Sequence, residues 1–145
     1  MKRWANEAKP IWLQEQQITL ANGDVVLWSY DSEGDILEIF FQDRPASATV
    51  ELTDGVYLRF DRQQGQPSSL AVVGATALMQ PGEFGLPVLT LDGLAKLPEP
   101  ERGKIVAMLQ SPPLSTILPT YSFKSKARTR AIPVAVLAQP IPLAA

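Results

Sequence analysis

The chain has 145 residues, the length of one ordinary domain, and its hydrophobic fraction of 46% is enough for a packed core. It contains neither cysteine nor histidine, which excludes disulfides, thiol catalysis, Cys-ligated zinc and every Ser/His or Cys/His nucleophile pair. Lys and Arg total 13 against 15 Asp and Glu, a formal net charge of -2, so bulk charge points neither to a nucleic-acid binder nor to an acidic solvating chain.

In residues 1–16, Lys2 and Arg3 are followed by no apolar run of signal-peptide length. Trp4, Trp12, Ala8 and Ile11 around Pro10 suggest a flap over part of the sheet, or a partner-binding arm. Residues 17–21 and 24–30 flank Asn22-Gly23, a strong hairpin signal. A two-residue loop there sets Leu20 opposite Val25 and Ile18 opposite Leu27.

Residues 31–35, D-S-E-G-D, read as a five-residue loop that pairs Leu27 with Ile39 and Val25 with Phe41. On that register the other face carries Val26, Trp28, Tyr30, Ile36 and Phe40, too much apolar surface to leave wet, so the sheet is expected to have two covered sides. After the Asp43-Arg44-Pro45-Ala46 turn, residues 48–52 and 56–60 alternate cleanly. A bulged Thr53-Asp54-Gly55 turn pairs Leu52 with Val56, Val50 with Leu58 and Ala48 with Phe60, and leaves Glu51 with Tyr57 and Thr49 with Arg59 on the outer face. Residues 68–74 close the sheet with Leu70 and Val72 facing in.

Tyr30-Asp31, Asp35-x-Leu37-x-Ile39, Asp54-Gly55-Val56 running to Asp61, Gly65, and the closing apolar strand up to Gly74-Ala75 resemble the bacterial domain of unknown function 2283. The resemblance spans about residues 28–76, roughly a third of the chain. It implies a small β-meander with no established activity.

From Pro81 onward lie ten of the 13 prolines, and long strands are not expected. Residues 86–97 suit a short strand and a turn of helix after Asp92. Residues 99–110 are the best helix: Pro100 fits the first turn, Glu99 and Glu101 fit its positive end, and Ile105, Met108 and Leu109 form a stripe to cover the Trp28 face. Past Ser111 the chain reads as extended, and Lys124, Lys126, Arg128 and Arg130 project to one side of an extended segment.

Charge is divided: between residues 24 and 61 nine acids face only Arg44 and Arg59, whereas from Arg102 onward there are six cations and no acid. The basic stretch can lie along the sheet's own acidic rim, meet another protein, or track phosphates with Tyr121 and Phe123 stacking on bases. Asp31, Glu33 and Asp35 do not fit an EF-hand loop, since Gly34 is fourth and Gln42 twelfth; their side chains are expected to hold the turn's own N–H groups. Glu38 and Glu51 would pair only if their strands were neighbours.

The expectation is an α+β, mainly β protein: an antiparallel meander of about six strands over residues 17–76, one C-terminal helix and a Pro-rich extended tail. Residues 1–110 form the domain and 111–145 the tail. The leading function is a cytoplasmic, non-enzymatic protein-interaction module with no cofactor or metal and no membrane association. It binds a partner protein or a second copy through Trp28, Tyr30, Phe40, Lys124, Lys126, Arg128 and Arg130. The alternative is a weak nucleic-acid-contacting regulator or antitoxin-like partner using the four cations.

Overall fold

The computed structural model describes residues 13–20, 23–41, 46–78, 88–123 and 132–136. Six antiparallel strands form the main sheet: β1 Leu13–Thr19, β2 Val25–Asp31, β3 Ile36–Phe40, β4 Ala48–Thr53, β5 Val56–Asp61 and β6 Gln66–Val73. Their spatial order is β1-β2-β3-β6-β5-β4. The sheet is therefore two three-strand meanders joined where β3 meets β6.

The hairpins show where local chemistry sets register. Across β4 and β5, Ala48 pairs with Phe60, Val50 with Leu58 and Glu51 with Tyr57, and a bulge before Gly55 closes the turn. Gly55 has φ 81 and an added Cβ would lie 2.9 Å from the Val73 carbonyl oxygen, so the position needs glycine on both counts. From Ala48 to Glu51 this is the register the bulged turn predicts, but at the turn itself Thr53, not Leu52, lies opposite Val56.

The first two hairpins each differ from expectation by one residue. Thr19 pairs with Val25 and Ile18 with Val26, and the ladder closes where the Leu20 N–H donates to the Asp24 carbonyl at 2.7 Å. Between β2 and β3, Asp31 pairs with Ile36, so the loop has four residues rather than five. Asp31 Oδ1 accepts from the N–H groups of Glu33 and Gly34, each at 3.0 Å, and Asp35 takes a left-handed conformation at φ 54. Asp is one of the few non-glycine residues that tolerates that region, and its use here tightens the loop.

One consequence is a correction of faces. Trp28 lies opposite Ile39, which pairs with Leu70, which pairs with Leu58, which pairs with Val50. Tyr30, Leu37, Val72 and Val56 form the next rung. All share the core face, whereas Leu27, Ile36 and Phe40 belong to the other side. The expected grouping of Trp28 and Tyr30 with Ile36 and Phe40 is thus overturned by the shorter loop, because a slip of one residue changes which side chains share a face.

The core face is covered by the second half of the chain. After α1, Ala75–Leu78, and a short strand β7, Val88–Thr90, a 3-10 turn spans Asp92–Lys96. Helix α2, Glu99–Leu109, starts with Pro100 in its first turn and buries Ile105, Met108 and Leu109. Helix α3, Leu114–Ile117, buries Leu114 and Ile117. These side chains, with Leu89, Leu91, Leu94 and Leu118, join the sheet's inward residues in one hydrophobic cluster. Each fully buried Leu or Ile contributes roughly 1.5–3 kcal/mol relative to an exposed one.

Arg102 fastens α2 to the segment before it: Nε donates to the Leu94 carbonyl at 3.1 Å and Nη2 to the Leu97 carbonyl at 2.8 Å. The core therefore continues past residue 110. The chain beyond 111 also holds β8, Thr120–Phe123, and β9, Ile132–Val136, which form a small antiparallel sheet with β7 in the order β7-β9-β8. Among the described residues no helix is long and apolar enough to cross a membrane.

Candidate functional site

The side of the main sheet away from the helices is where functional side chains can meet a ligand. Its centre is the middle strand β6, which presents the small residues Ser69 and Ala71 there. Larger neighbours on β3 and β5 rise around them, leaving a shallow open hollow of about 470 Å³. Sequence parity builds this: on β3 to β5, the residues between the inward apolar positions are Glu38, Thr49, Glu51, Tyr57 and Arg59.

The pairing of β3 with β6, and of β6 with β5, draws these groups together. Glu38 Oε2 accepts from the Ser69 hydroxyl at 2.7 Å and from Arg59 Nη1 at 3.3 Å. Across β4 and β5 the Tyr57 hydroxyl donates to Glu51, which raises the Tyr57 pKa above its ordinary value; the Glu51 charge adds to the shift. Glu38 and Glu51 do not form a pair, because β6 and β5 lie between their strands. At one end of the hollow Ile36 lies opposite Val73, which is 44% exposed; at the far end of β2, Val25 is 48% exposed.

A second polar cluster is structural. Asp35 Oδ2 accepts from the Thr76 hydroxyl at 2.7 Å, and Oδ1 accepts from the Thr76 N–H at 3.1 Å and the Tyr30 hydroxyl at 2.8 Å. The Thr76 hydroxyl is the main reason the Asp35 carboxyl sits below its ordinary pKa; partial desolvation opposes it, and the Tyr30 hydrogen bond adds to it. The same bond to Asp35 is the largest cause raising the Tyr30 phenol. The Asp35 carbonyl also accepts from the Gly74 and Ala75 N–H groups at 2.9 and 3.0 Å. One residue at the tip of the β2–β3 loop thus anchors the exit from β6.

Of the residues expected to bind a partner, Trp28 and Tyr30 are 3% and 4% exposed and lie inside the core cluster. Among the described residues the Trp28 Nε1–H has no acceptor. Phe40 is on the outer face but only 8% exposed, opposite Leu27. Lys124, Lys126, Arg128 and Arg130 lie outside the described residues. Sequence reasoning found the Glu51–Tyr57 and Thr49–Arg59 pairs but missed Glu38 with Ser69 and Arg59. That contact depends on β3 lying beside β6, thirty residues further along the chain, for which no turn signal exists.

The fold and this surface define an α+β domain built on an antiparallel sheet with one core face and an outer face that carries both the polar hollow and the buried apolar pair Leu27 and Phe40. Within it, residues 28–65 match the model of a family described as protein of unknown function, DUF2283. No curated protein and no solved structure matches the chain. The matched segment contains Tyr30, Asp31, Asp35, Gly55 and Asp61, and each has a structural duty here. Asp61, like Asp31, turns its carboxylate back on its own loop, with Oδ1 accepting from the Gln63 N–H at 2.9 Å.

Proposed function

We propose that this chain is a cytoplasmic, non-enzymatic protein-interaction module that needs no cofactor and binds a partner protein or a second copy of itself. The binding surface is the outer sheet face, with the basic stretch Lys124, Lys126, Arg128 and Arg130 as a second contact. The observation that supports this is the composition of the hollow: an aromatic and an arginine, Tyr57 and Arg59, stand beside Ile36 and the exposed Val73 around a floor of small side chains. Tyr and Arg beside apolar side chains are enriched in the centres of protein interfaces.

A nucleic-acid role fits this face less well, since Asp31 and Glu38 oppose phosphate and, among the described residues, Arg59 is the one cation lining the hollow. The test is affinity capture from native lysate with the intact chain, with Arg59→Ala and Val73→Asp, and with the four cations changed to Gln. Truncation after Ser111 is unsuitable because it removes Leu114, Ile117 and Leu118 from the core. A stoichiometric partner that survives nuclease and is lost in folded outer-face variants is the expected result. Capture unchanged by every variant would overturn the surface, and purely nuclease-sensitive capture would overturn the function.

A further inference from the structure

Where helix α2 crosses the β4–β5 end of the main sheet, the core is not fully sealed. Ile105 and Met108 from the helix, with Val50 and Phe60 from β4 and β5, form the floor of a cleft of about 120 Å³. Phe60, 9% exposed, and Val50, 8% exposed, are the least covered members of the buried hydrophobic cluster. The helix presents one face here, since Glu101, Lys104, Ile105 and Met108 recur at helical spacing. On the sheet side Gly65, in the turn between β5 and β6, adds no side chain to the wall, and a Cβ there would meet nothing within 4 Å.

The mouth of the cleft is charged. Arg62 from the sheet side and Lys104 from the helix both line it and both are exposed. Among the described residues neither forms an ion pair. The Arg62 backbone is held in place, because its N–H donates to the Ser47 hydroxyl oxygen at 2.8 Å. The one acid in the lining is Glu101. It sits in the first turn of α2, where the positive end of the helix offsets part of its charge. An apolar floor beneath two cations and one partly compensated acid complements an apolar group that carries a negative charge.

We propose that this cleft binds a small free carboxylate bearing a single aromatic ring, with the ring between Phe60 and Met108 and the carboxylate between Arg62 and Lys104. Size limits the apolar part: an apolar cavity of about 150 Å³ is enough for benzene, so a slightly smaller cleft with an open mouth takes one ring and no second. Chemistry selects an aromatic ring, since a methionine sulfur makes favourable contacts with a ring edge and Phe60 can meet it edge to face. A helix or strand of another protein is too large for the space, so the occupant is a free molecule. This goes beyond the interaction-module reading, which neither supplies nor needs it.

Phenylacetate is the probe. Acetate keeps the charge and lacks the ring; phenylacetamide keeps the ring and lacks the charge. Titration of the intact chain followed by amide NMR shifts is expected to saturate with a Kd of about 1 mM or below, the range a ligand of this size reaches. The largest shifts should fall at Val50, Phe60, Gly65 and Ile105. Acetate should not saturate, and phenylacetamide should bind at least about threefold more weakly, the share two exposed cations provide. In the Arg62→Gln, Lys104→Gln double variant, phenylacetate should weaken to the level of the amide while the amide itself binds as before. Both positions are exposed, so the melting curve should not move.

No saturation by phenylacetate overturns the proposal, and so does saturation with its largest shifts elsewhere in the chain. Equal binding of acid and amide, or a phenylacetate affinity unchanged in the double variant, overturns the anionic ligand class. If phenylacetate fails to bind and the double variant loses a captured protein, the cleft belongs to a protein partner and the proposal is also overturned.

Discussion

Two glycines of the second half make a matched experiment, because the same added methyl group should have opposite effects at Gly93 and Gly103. At Gly93 the new Cβ would sit 2.8 Å from the Leu52 oxygen, 2.9 Å from the Leu52 carbonyl carbon, and closer still to the Glu51 oxygen. All three are backbone atoms of a strand held by β5, so no side chain can turn aside to make room. Relief needs the 3-10 turn to retreat from β4 by more than half an ångström, pulling Leu91 and Leu94 with it. Such overpacking costs about 1–3 kcal/mol, against a gain of about 0.4–1 kcal/mol from the stiffer unfolded chain.

At Gly103, inside α2, nothing lies within 4 Å of the added Cβ. Alanine there gains about 0.5–1 kcal/mol from helix propensity alone. With a melting shift of roughly 2–8 °C per kcal/mol at this size, Gly93→Ala is expected to melt several degrees lower and Gly103→Ala a few degrees higher. Thermal unfolding followed by circular dichroism is the assay. Shifts of the same sign, or no change at Gly93, would refute the close packing of the turn on β4.

Other expectations follow from contacts already described. Leu58→Ala, at a fully buried position, should cost roughly 2–5 kcal/mol and lower the urea midpoint at constant slope. Because the folded state holds Asp35 below its unfolded pKa, that stability is present above the unfolded pKa and is lost as pH falls through the folded value. Acid titration of Asp35→Asn should therefore show a shallower loss than the parent. Tyr30 is raised, so its contribution is present below its unfolded pKa and lost as pH rises through the folded one; Tyr30→Phe should flatten the alkaline limb. Arg102→Lys should cost about 1 kcal/mol in urea unfolding, since an ammonium cannot serve the Leu94 and Leu97 carbonyls with the planar fork of a guanidinium.

What could be read from sequence depended on whether one local device decided the outcome. Alternation in residues 48–52 and 56–60 has a single reading, so the β4–β5 register was legible from Ala48 to Glu51, and only the closing pair at the bulge, Thr53 with Val56, was not. Helix α2 was equally clear, since Pro100, the flanking glutamates and the Ile105, Met108, Leu109 stripe agree. In β2, by contrast, Val25, Val26, Leu27 and Trp28 are all apolar, so periodicity cannot say which face is inward. The decision passes to the loop, where a non-glycine residue in a left-handed conformation shortens the turn by one. Ile36 and Phe40 parted from Trp28 and Tyr30 for that reason, and the outer hollow stayed hidden because its floor comes from a strand not adjacent to β3 in sequence.

The strand order also bears on how the protein comes into being. In the second meander the first strand made, β4, ends at the periphery, and the last, β6, takes the middle. The matched segment, residues 28–65, stops just short of β6. A growing chain of that length holds two hairpins with no ladder in common, and Ile36 must wait for Val73 before either half has a neighbour. Closure of the sheet is therefore a late, long-range event. Until it happens, the inward side chains of both hairpins remain open to chaperones, or to the unfinished sheet of another nascent chain.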